Sequence, residues 1–258
     1  MQLRDIHQLR DAPAFSVSAI EGLSTVEGML QEALRYVPYC IEHHDVWSSH
    51  FTTIILEAAS QADSIWKATA KIDTPDSASD KLTLKDHFDR YGHLVSKQHV
   101  VFFGGPQPRI ISPFTAWDGP FIAPGWWDAY NSLKHDRYSN QKEATLRDAI
   151  NAVAALLLTL IYSGKCDLAL MSAGLLRESS HNPWAHTETG LLRDVTFDCR
   201  CLLETKLFAH PLGVFGTAEC NLSGYWDEGS LRYQVWWAQN SHQFTVQPKA
   251  SQTGPENG

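Results

Sequence analysis

The chain has 258 residues, of which 43% are hydrophobic and 11% are aromatic, and its formal net charge is −8 at pH 7. This hydrophobic content is enough for one large domain or two small ones with real cores, and it excludes a disordered chain. The negative charge argues against a protein that coats nucleic acid through its overall field, although a local basic patch is still allowed.

The cysteines and the apolar segments indicate a reducing, non-membrane environment. Five cysteines, an odd number at irregular spacing, do not suggest a disulfide framework. The N-terminal stretch MQLRDIHQLRDAPAF lacks the apolar core of a signal peptide. The longest apolar run, 149–162, contains Asn151 and Thr159 and is shorter than the ~20 residues that a membrane span needs. We therefore expect a cytoplasmic protein with no membrane partner.

Two amphipathic helices are predicted in the first third of the chain. The first covers 24–43, with Ser24 as its cap, Glu27 three residues later and a kink at Pro38. Its apolar residues recur at helical spacing: Val26, Leu30, Ala33, Val37 and Ile41. The second covers 48–70 and begins near Ser48 or Ser49, and its apolar positions are spaced alternately by four and three: Phe51, Ile55, Ala58, Ala62 and Ile65.

The next segment combines a loop, a short helix and a β-hairpin. Residues 71–80 are polar and predict a loop, and residues 82–94 predict a short helix. β-Branched and aromatic residues at 99–103 and 109–111 flank the turn at Gly104-Gly105. This pattern is typical of a hairpin.

The clearest helix is predicted at 142–162, because apolar residues again recur in steps of three and four. Its wide apolar face indicates the central helix of a bundle, with Gly164 as a C-cap. A further helix is predicted at 167–177. Beyond His181, short strands are predicted at 195–197, 207–210, 214–217 and 231–237, followed by a mobile tail at 247–258.

The most informative stretch lies between the hairpin and the central helix: residues 125–137, GWWDAYNSLKHDR. On a helix, Asn131 and His135 share one face because they are four residues apart. Lys134 and Arg137 flank the histidine, and an apolar stripe runs beside it: Trp126, Tyr130 and Leu133. A histidine with an amide partner and two nearby cations suits the handling of a phosphodiester, and it is also an ordinary way to finish a surface helix.

Followed by a long apolar helix, this motif resembles the HEPN superfamily, helical bundles found in ribonuclease toxins, antiphage proteins and RNA-processing factors. The resemblance covers about residues 20–175. It implies a mainly α fold, with a HEPN-like helical bundle at 20–178 and a hairpin-bearing insertion at 72–124. A β-rich C-terminal region is expected at 179–246.

In that family the active motif is an arginine, a polar residue that is often asparagine, three variable residues and a histidine. Two copies meet at a two-fold dimer interface and form a composite, metal-independent site that cleaves RNA through attack by the 2′-hydroxyl. Asn131 matches the polar residue and His135 the histidine, whereas Tyr130 stands at the arginine position. A phenol cannot fully replace the cation that stabilises the charge building on the phosphate. Lys134 and Arg137 are candidates to supply it, each from a different angle on the helix.

The resemblance thus implies an endoribonuclease of the antiphage-defence or toxin type that acts on RNA without a cofactor. His135 would be the general acid or base, Asn131 would position it, and Lys134 and Arg137 would contact phosphate. A homodimer is implied, because one copy of the helix offers too few catalytic groups. The competing class is a catalytically inactive HEPN-like sensor or adaptor subunit, which would use the same surface to dimerise, bind a ligand or join a larger defence complex.

Three further residues are candidates for the same site. Trp127 and Tyr130 are candidate binding residues, and the pair Trp126-Trp127 is expected to be exposed. Glu57, on the second helix, either reaches the bundle interior, where it would orient His135 or Lys134, or lies on a solvated face.

Two groups of histidine or cysteine residues are candidate metal sites. Residues 42–45 (Glu-His-His-Asp), with His50, match no established zinc spacing, so histidines at a helix end followed by a loop aspartate are the favoured interpretation. Cys199-Arg200-Cys201, with Cys220 and His210, lacks a CxxC pair, and buried structural thiols are favoured.

An aromatic cluster in the C-terminal region has two interpretations. It would either stack bases or bind a partner, or it would form the core of a small β unit, which is the favoured interpretation. Its members are Tyr225, Trp226, Tyr233, Trp236 and Trp237.

Overall fold

The computed structural model describes residues 13–75, 81–178 and 201–212, which form a mainly helical protein with a small antiparallel sheet. The predicted class, mainly α with a small β component, is confirmed. The helices of the described residues are α1 Ala14–Tyr36, α2 Ser49–Asp73, α3 Leu84–Val95, α4 Gly125–His135, α5 Leu146–Tyr162 and α6 Asp167–Ser172. The strands are β1 Val100–Phe102, β2 Arg109–Ile111, β3 Leu176–Glu178, β4 Cys201–Glu204 and β5 Phe208–Leu212.

Helix α1 differs from its prediction at both ends. It begins at Ala14, ten residues before Ser24, and it ends at Tyr36 instead of continuing through a kink. The residue before a proline is disfavoured in helical conformation, so Pro38 ends the helix. Glu27 takes no part in a capping box; it is buried and faces the sheet.

Helices α2 and α5 form the centre of the bundle. The Ser48 hydroxyl accepts a hydrogen bond from the Phe51 amide at 3.2 Å, which confirms the predicted start of α2. Helix α5 is buried along most of its length and packs against α1, α2, α3 and α4, as expected for a central helix. It begins later than predicted, because Thr145 caps it and residues 141–143 form a separate 3₁₀ turn. Gly164, with φ of 61°, follows its end as predicted.

The sheet combines the hairpin with strands from later in the chain, in the order β2-β1-β5-β4-β3. The hairpin prediction is confirmed by the antiparallel register Val101↔Ile110. Strand β1 also pairs with β5, which contains most of the strand predicted at 207–210. The helix predicted at 167–177 is wrong in its second half: α6 ends at Ser172, Gly174 adopts a φ of 68°, and the chain continues as β3.

Buried polar groups join the sheet to the bundle. The Glu27 carboxylate on α1 accepts hydrogen bonds from the Thr205 hydroxyl and, at 2.8 Å, from the Leu207 amide in the β4–β5 turn. His210 on β5 is fully buried: its Nδ1 lies 2.6 Å from the His99 carbonyl oxygen, and its Nε2 lies 3.0 Å from the Tyr162 hydroxyl. Because a carbonyl only accepts, Nδ1 carries the proton, and Nε2 accepts from the phenol. Burial lowers the pKa of His210 to about 3.

The strands predicted at 195–197, 214–217 and 231–237 and the tail at 247–258 lie outside the described residues. The same is true of the aromatic cluster at 225–237 and of Cys199 and Cys220. In the part of the chain that the structure describes, the helices are all too short or too polar to cross a membrane.

Candidate functional site at the end of helix α4

The first half of α4 is part of the hydrophobic core. Trp126 is 1% exposed and Trp127 is 6% exposed, so the prediction that this pair is exposed is wrong. The Trp126 indole donates a hydrogen bond to the Pro113 carbonyl at 2.9 Å. Trp127 packs against Trp66 of α2, with ring centroids 6.3 Å apart, and its burial leaves little of the side chain for a ligand. The predicted apolar stripe of Trp126, Tyr130 and Leu133 is confirmed by the burial of all three.

The last two residues of α4 are exposed to solvent, whereas Leu133 in the same turn is buried. His135 is the final residue of the helix, and both it and Lys134 are exposed, whereas Asn131 is half-buried. The helix is continuous from Gly125 to His135, so Asn131 and His135 share a face as predicted. No hydrogen bond among the described residues joins their side chains.

Lys134 is held against Tyr130, the residue at the arginine position of the motif. The Lys134 ammonium donates a hydrogen bond to the Tyr130 hydroxyl oxygen at 3.2 Å and lies 5.2 Å from the centre of the ring. Tyr130 is buried, so the phenol is a fixed support for the ammonium group. A cation is therefore placed on the side chain that replaces the expected arginine.

Arg137, two residues beyond the helix, joins the loop to α2. Its guanidinium Nη2 donates a hydrogen bond to the Thr53 hydroxyl at 3.3 Å. Thr53 was not predicted to belong to the site, because it lies 84 positions away in sequence and only the packing of α2 on α4 brings it near. Both side chains are exposed, so the arginine remains accessible to a ligand.

The loop after α4 is fixed by its own hydrogen bonds. The Asp136 carboxylate accepts from the Ser139 amide at 3.1 Å, and the Asn140 side-chain amide donates to the Ser132 carbonyl at 2.8 Å. Hydrogen bonds from Ser139 hold the pKa of Asp136 below its usual range. Asp136 is thus a bound anion between the cations, and it reduces the local positive charge.

Glu57 belongs to a different surface. It is exposed and accepts a hydrogen bond from the Gln61 side-chain amide at 2.8 Å. Gln61 lies against Gly22 of α1, where an added Cβ would come within 2.2 Å of the Gln61 Oε1 atom. The solvated alternative for Glu57 is confirmed, and within the described ranges no contact joins it to Lys134 or His135.

The structure does not assemble the histidines near residue 44 into a metal site. His43 Nδ1 lies 2.7 Å from the Pro38 carbonyl, and the His44 ring packs on Tyr39 at 5.2 Å. Asp45 pairs with Arg147 at 3.1 Å. Across residues 13–75, 81–178 and 201–212, no group of three or more histidine, cysteine, aspartate or glutamate side chains is arranged to hold a metal ion.

A buried histidine, His87, is paired with a partly exposed aspartate beside the first half of α4. His87 Nε2 of α3 lies 3.0 Å from the Asp63 carboxylate of α2, which also accepts from Lys67 at 2.7 Å. Partial burial raises the pKa of Asp63, but the hydrogen bonds from His87 and Lys67 outweigh it and hold that pKa below its usual range. The pair ties α2 to α3, and His87 is closed to a substrate because it is fully buried under Trp66.

Comparison with known proteins gives no match. No protein-family model matches the chain, and neither a curated protein nor a solved structure does. The functional interpretation therefore depends on the motif and on the geometry at the end of α4.

Proposed function

We propose that this chain is a HEPN-like, RNA-directed protein of the antiphage-defence or toxin type, and that it is a metal-independent endoribonuclease. The observation that supports the proposal is the exposed group at the end of α4. His135 lies there between Lys134 and Arg137, one helical turn from Asn131. These groups match the chemistry of phosphodiester cleavage, which needs a proton carrier and cations that stabilise the phosphorane-like transition state.

In the proposed reaction His135 removes the proton of a ribose 2′-hydroxyl. The 2′-oxygen then attacks the adjacent phosphorus, its new bond forms as the bond to the 5′-oxygen breaks, and the products are a 2′,3′-cyclic phosphate and a 5′-hydroxyl. The leaving 5′-oxygen needs a proton from an acid. A second copy of α4 would supply that acid as His135 of the partner subunit, which is why the proposal includes a homodimer.

In this proposal, Lys134 supplies the positive charge that the arginine of the family motif would supply. The hydrogen bond to Tyr130 holds its ammonium group close to the motif position at which the arginine is expected. Arg137 supplies a second cation from the other side of His135. Charge-assisted contacts of this kind strengthen as negative charge builds on the phosphate oxygens.

A catalytically inactive sensor or adaptor is the second candidate, and the burial of Tyr130 favours it. A buried phenol at the arginine position cannot itself contact a phosphate, and Lys134 is bound to that phenol. In this case the end of α4 would serve dimerisation or ligand binding.

The two candidates are separated by His135→Ala, assayed for RNA cleavage in EDTA and for dimer formation by sedimentation. The matched control is His93→Ala, because His93 is also an exposed histidine in the last turn of a helix, α3. The endoribonuclease proposal expects lost cleavage with an intact dimer in the first variant and no change in the second. If wild-type protein cleaves no RNA under any condition, or if His135→Ala still cleaves, the enzyme proposal fails and the sensor or adaptor is favoured.

A further inference from the structure

We propose that Tyr138 and Trp47 bind the bases of the nucleotides next to the phosphate that Lys134 and Arg137 contact. The inference rests on the RNA-directed function proposed above and names the part of the surface that recognises the base. It starts from the exposure of two aromatic side chains in the described residues: Tyr138 is 83% exposed and Trp47 is 44% exposed.

Tyr138 is placed beside the cations by its position in the chain. It directly follows Arg137, whose guanidinium is bound to Thr53, and it directly precedes Ser139, whose amide is bound to Asp136. The hydrogen bond from Asn140 to the Ser132 carbonyl closes the same loop on α4. The Tyr138 ring is therefore presented to solvent from a loop whose backbone is held by the Asp136–Ser139 and Asn140–Ser132 hydrogen bonds.

Trp47 lies at the N-terminal end of α2, the end at which Thr53 binds Arg137. It directly precedes Ser48, the N-cap of α2, and its backbone pairs with Thr145 in an isolated antiparallel bridge. Thr53, the partner of Arg137, comes five residues after Ser48 in the same helix, about 7.5 Å along its axis at 1.5 Å per residue. One aromatic side chain thus lies next to Arg137 and the other lies near the start of the helix that Arg137 contacts.

The charges nearby favour a nucleotide. Lys134, His135 and Arg137 are exposed and come shortly before Tyr138 in the chain, and His50 is exposed in the first turn of α2. Of the acidic groups at this end, Asp136 is bound by the Ser139 amide, Asp45 by Arg147 at 3.1 Å and Asp148 by the Thr145 hydroxyl, while Glu143 is exposed two residues before Thr145. Cations that bind a phosphate, set beside rings that stack on a base, are the combination found in surfaces that bind unpaired nucleotides.

The expected loss of oligonucleotide affinity follows from the free energy of base stacking. A base stacked on an aromatic side chain is worth about 1–3 kcal/mol, which is about 5- to 150-fold in affinity. Tyr138→Ala and Trp47→Ala should each weaken the binding of a base-bearing strand within this range. A strand that lacks bases should lose nothing, because its phosphates still meet Lys134 and Arg137.

The experiment measures fluorescence anisotropy with a labelled 12-nucleotide oligoadenylate and with an abasic ribose-phosphate strand of the same length. The protein carries His135→Ala, so that the probe stays intact. The matched control is Tyr36→Ala, because Tyr36 is 78% exposed and also follows an exposed arginine, Arg35, at the end of α1. We expect at least a fivefold loss of oligoadenylate affinity for Tyr138→Ala and Trp47→Ala, unchanged abasic binding, and no effect of Tyr36→Ala.

The inference is overturned if both variants bind oligoadenylate as tightly as their parent, or if they lose abasic binding to the same extent. It is also overturned if the variants instead weaken the dimer, since the rings would then contact a second copy of the chain. Failure of the proposed function looks different. In that case the unaltered protein binds oligoadenylate without cleaving it, and the dependence on Tyr138 and Trp47 remains.

Discussion

The two halves of helix α4 have opposite surroundings. In the first half, Trp126 and Trp127 are buried between α2, α5 and the segment around Pro113. In the last turn, Lys134 and His135 are exposed. The core half fixes the position and direction of the helix, and the exposed turn adds chemical groups whose replacement leaves the core unchanged. The comparison predicts that stability and function respond to different substitutions within eleven residues.

The largest effect on stability should come from the buried half. Trp126→Ala removes a fully buried indole and its hydrogen bond to Pro113, and we expect a loss of about 3–5 kcal/mol in the free energy of unfolding. Trp47→Ala is the control, because its side chain is partly exposed, and it should cost less than about 1 kcal/mol. Urea unfolding followed by circular dichroism measures both. Equal losses in the two variants would contradict the contrast between buried and exposed tryptophans.

Low pH should destabilise the protein through His210, the buried histidine of the sheet. The folded-state pKa of His210 is about 3, below the usual value of 6.5, so folding favours its neutral form. Its contribution is complete above pH 6.5 and is lost as the pH falls toward 3. At pH 4.5 this amounts to about 2–3 kcal/mol, at 1.36 kcal/mol for each pH unit. Unfolding measured from pH 7 to 4.5 should show this loss in the wild type.

The matched variant is His210→Gln, which keeps a polar side chain without a titrating ring. Its stability should be lower at pH 7 but should change less between pH 7 and 4.5. If the wild type and His210→Gln lose the same free energy over that interval, His210 is not the group responsible.

A smaller effect on stability is expected for Tyr130, which lies where the two halves of α4 meet. Tyr130→Phe keeps the buried ring but removes the oxygen to which Lys134 donates. The lost hydrogen bond should cost about 0.5–1.5 kcal/mol. If the phenol holds Lys134 for catalysis, the rate of RNA cleavage should fall by about tenfold, which corresponds to about 1.4 kcal/mol of transition-state stabilisation. An unchanged rate would show that the Lys134–Tyr130 contact is structural only.

A stability effect of similar size should come from Lys134 in the last turn. Lys134→Ala removes the same hydrogen bond to Tyr130 as Tyr130→Phe does, so the free energy of unfolding should fall by about 0.5–1.5 kcal/mol. Cleavage or oligonucleotide binding should fall as well. Lys142→Ala, at an exposed lysine in the 3₁₀ turn before α5, controls for loss of one positive charge. If Lys134→Ala destabilises the protein by several times as much as Tyr130→Phe, the hydrogen bond to Tyr130 is not the main contact of Lys134.

Periodicity predicted the parts of the fold that depend on a regular apolar face. Helices α2 and α5 bury residues spaced by three and four, and Ser48 is a local cap that the sequence displays. The hairpin was predictable for a similar reason, because its turn carries two adjacent glycines. These features depend on neighbours in the sequence.

The predictions that are wrong concern features that depend on contacts between residues far apart in the sequence. The Ser24 and Glu27 spacing resembles a helix start, but the Glu27 carboxylate instead accepts a hydrogen bond from the Leu207 amide in the β4–β5 turn, 180 residues later. The actual start of α1, after Pro13, has no side-chain cap to signal it. The pair Trp126-Trp127 was expected to be exposed, but both side chains are buried. The covered arc of α4 is wide enough for both tryptophans, since α2 and α5 both pack on it.

In the candidate site, too, the sequence predicted local features but not contacts made through packing. Its residues on α4 were predictable from one short motif, and the i, i+4 relation of Asn131 and His135 holds. The contact of Arg137 with Thr53 and the support of Lys134 by Tyr130 required the structure. The first depends on helix packing, and the second depends on which rotamer a long side chain adopts.

Measuring the cleavage and the unfolding of His135→Ala side by side shows whether the exposed end of α4 carries the chemistry while its buried half carries the fold. We expect at least about a 100-fold loss of the cleavage rate, the usual lower bound for removing a general acid or base. We also expect a free energy of unfolding within about 0.5 kcal/mol of the wild type, as is usual for an exposed residue. Cleavage at the wild-type rate would contradict this division of roles, and so would a cleavage loss accompanied by destabilisation of 2 kcal/mol or more, about four times that limit.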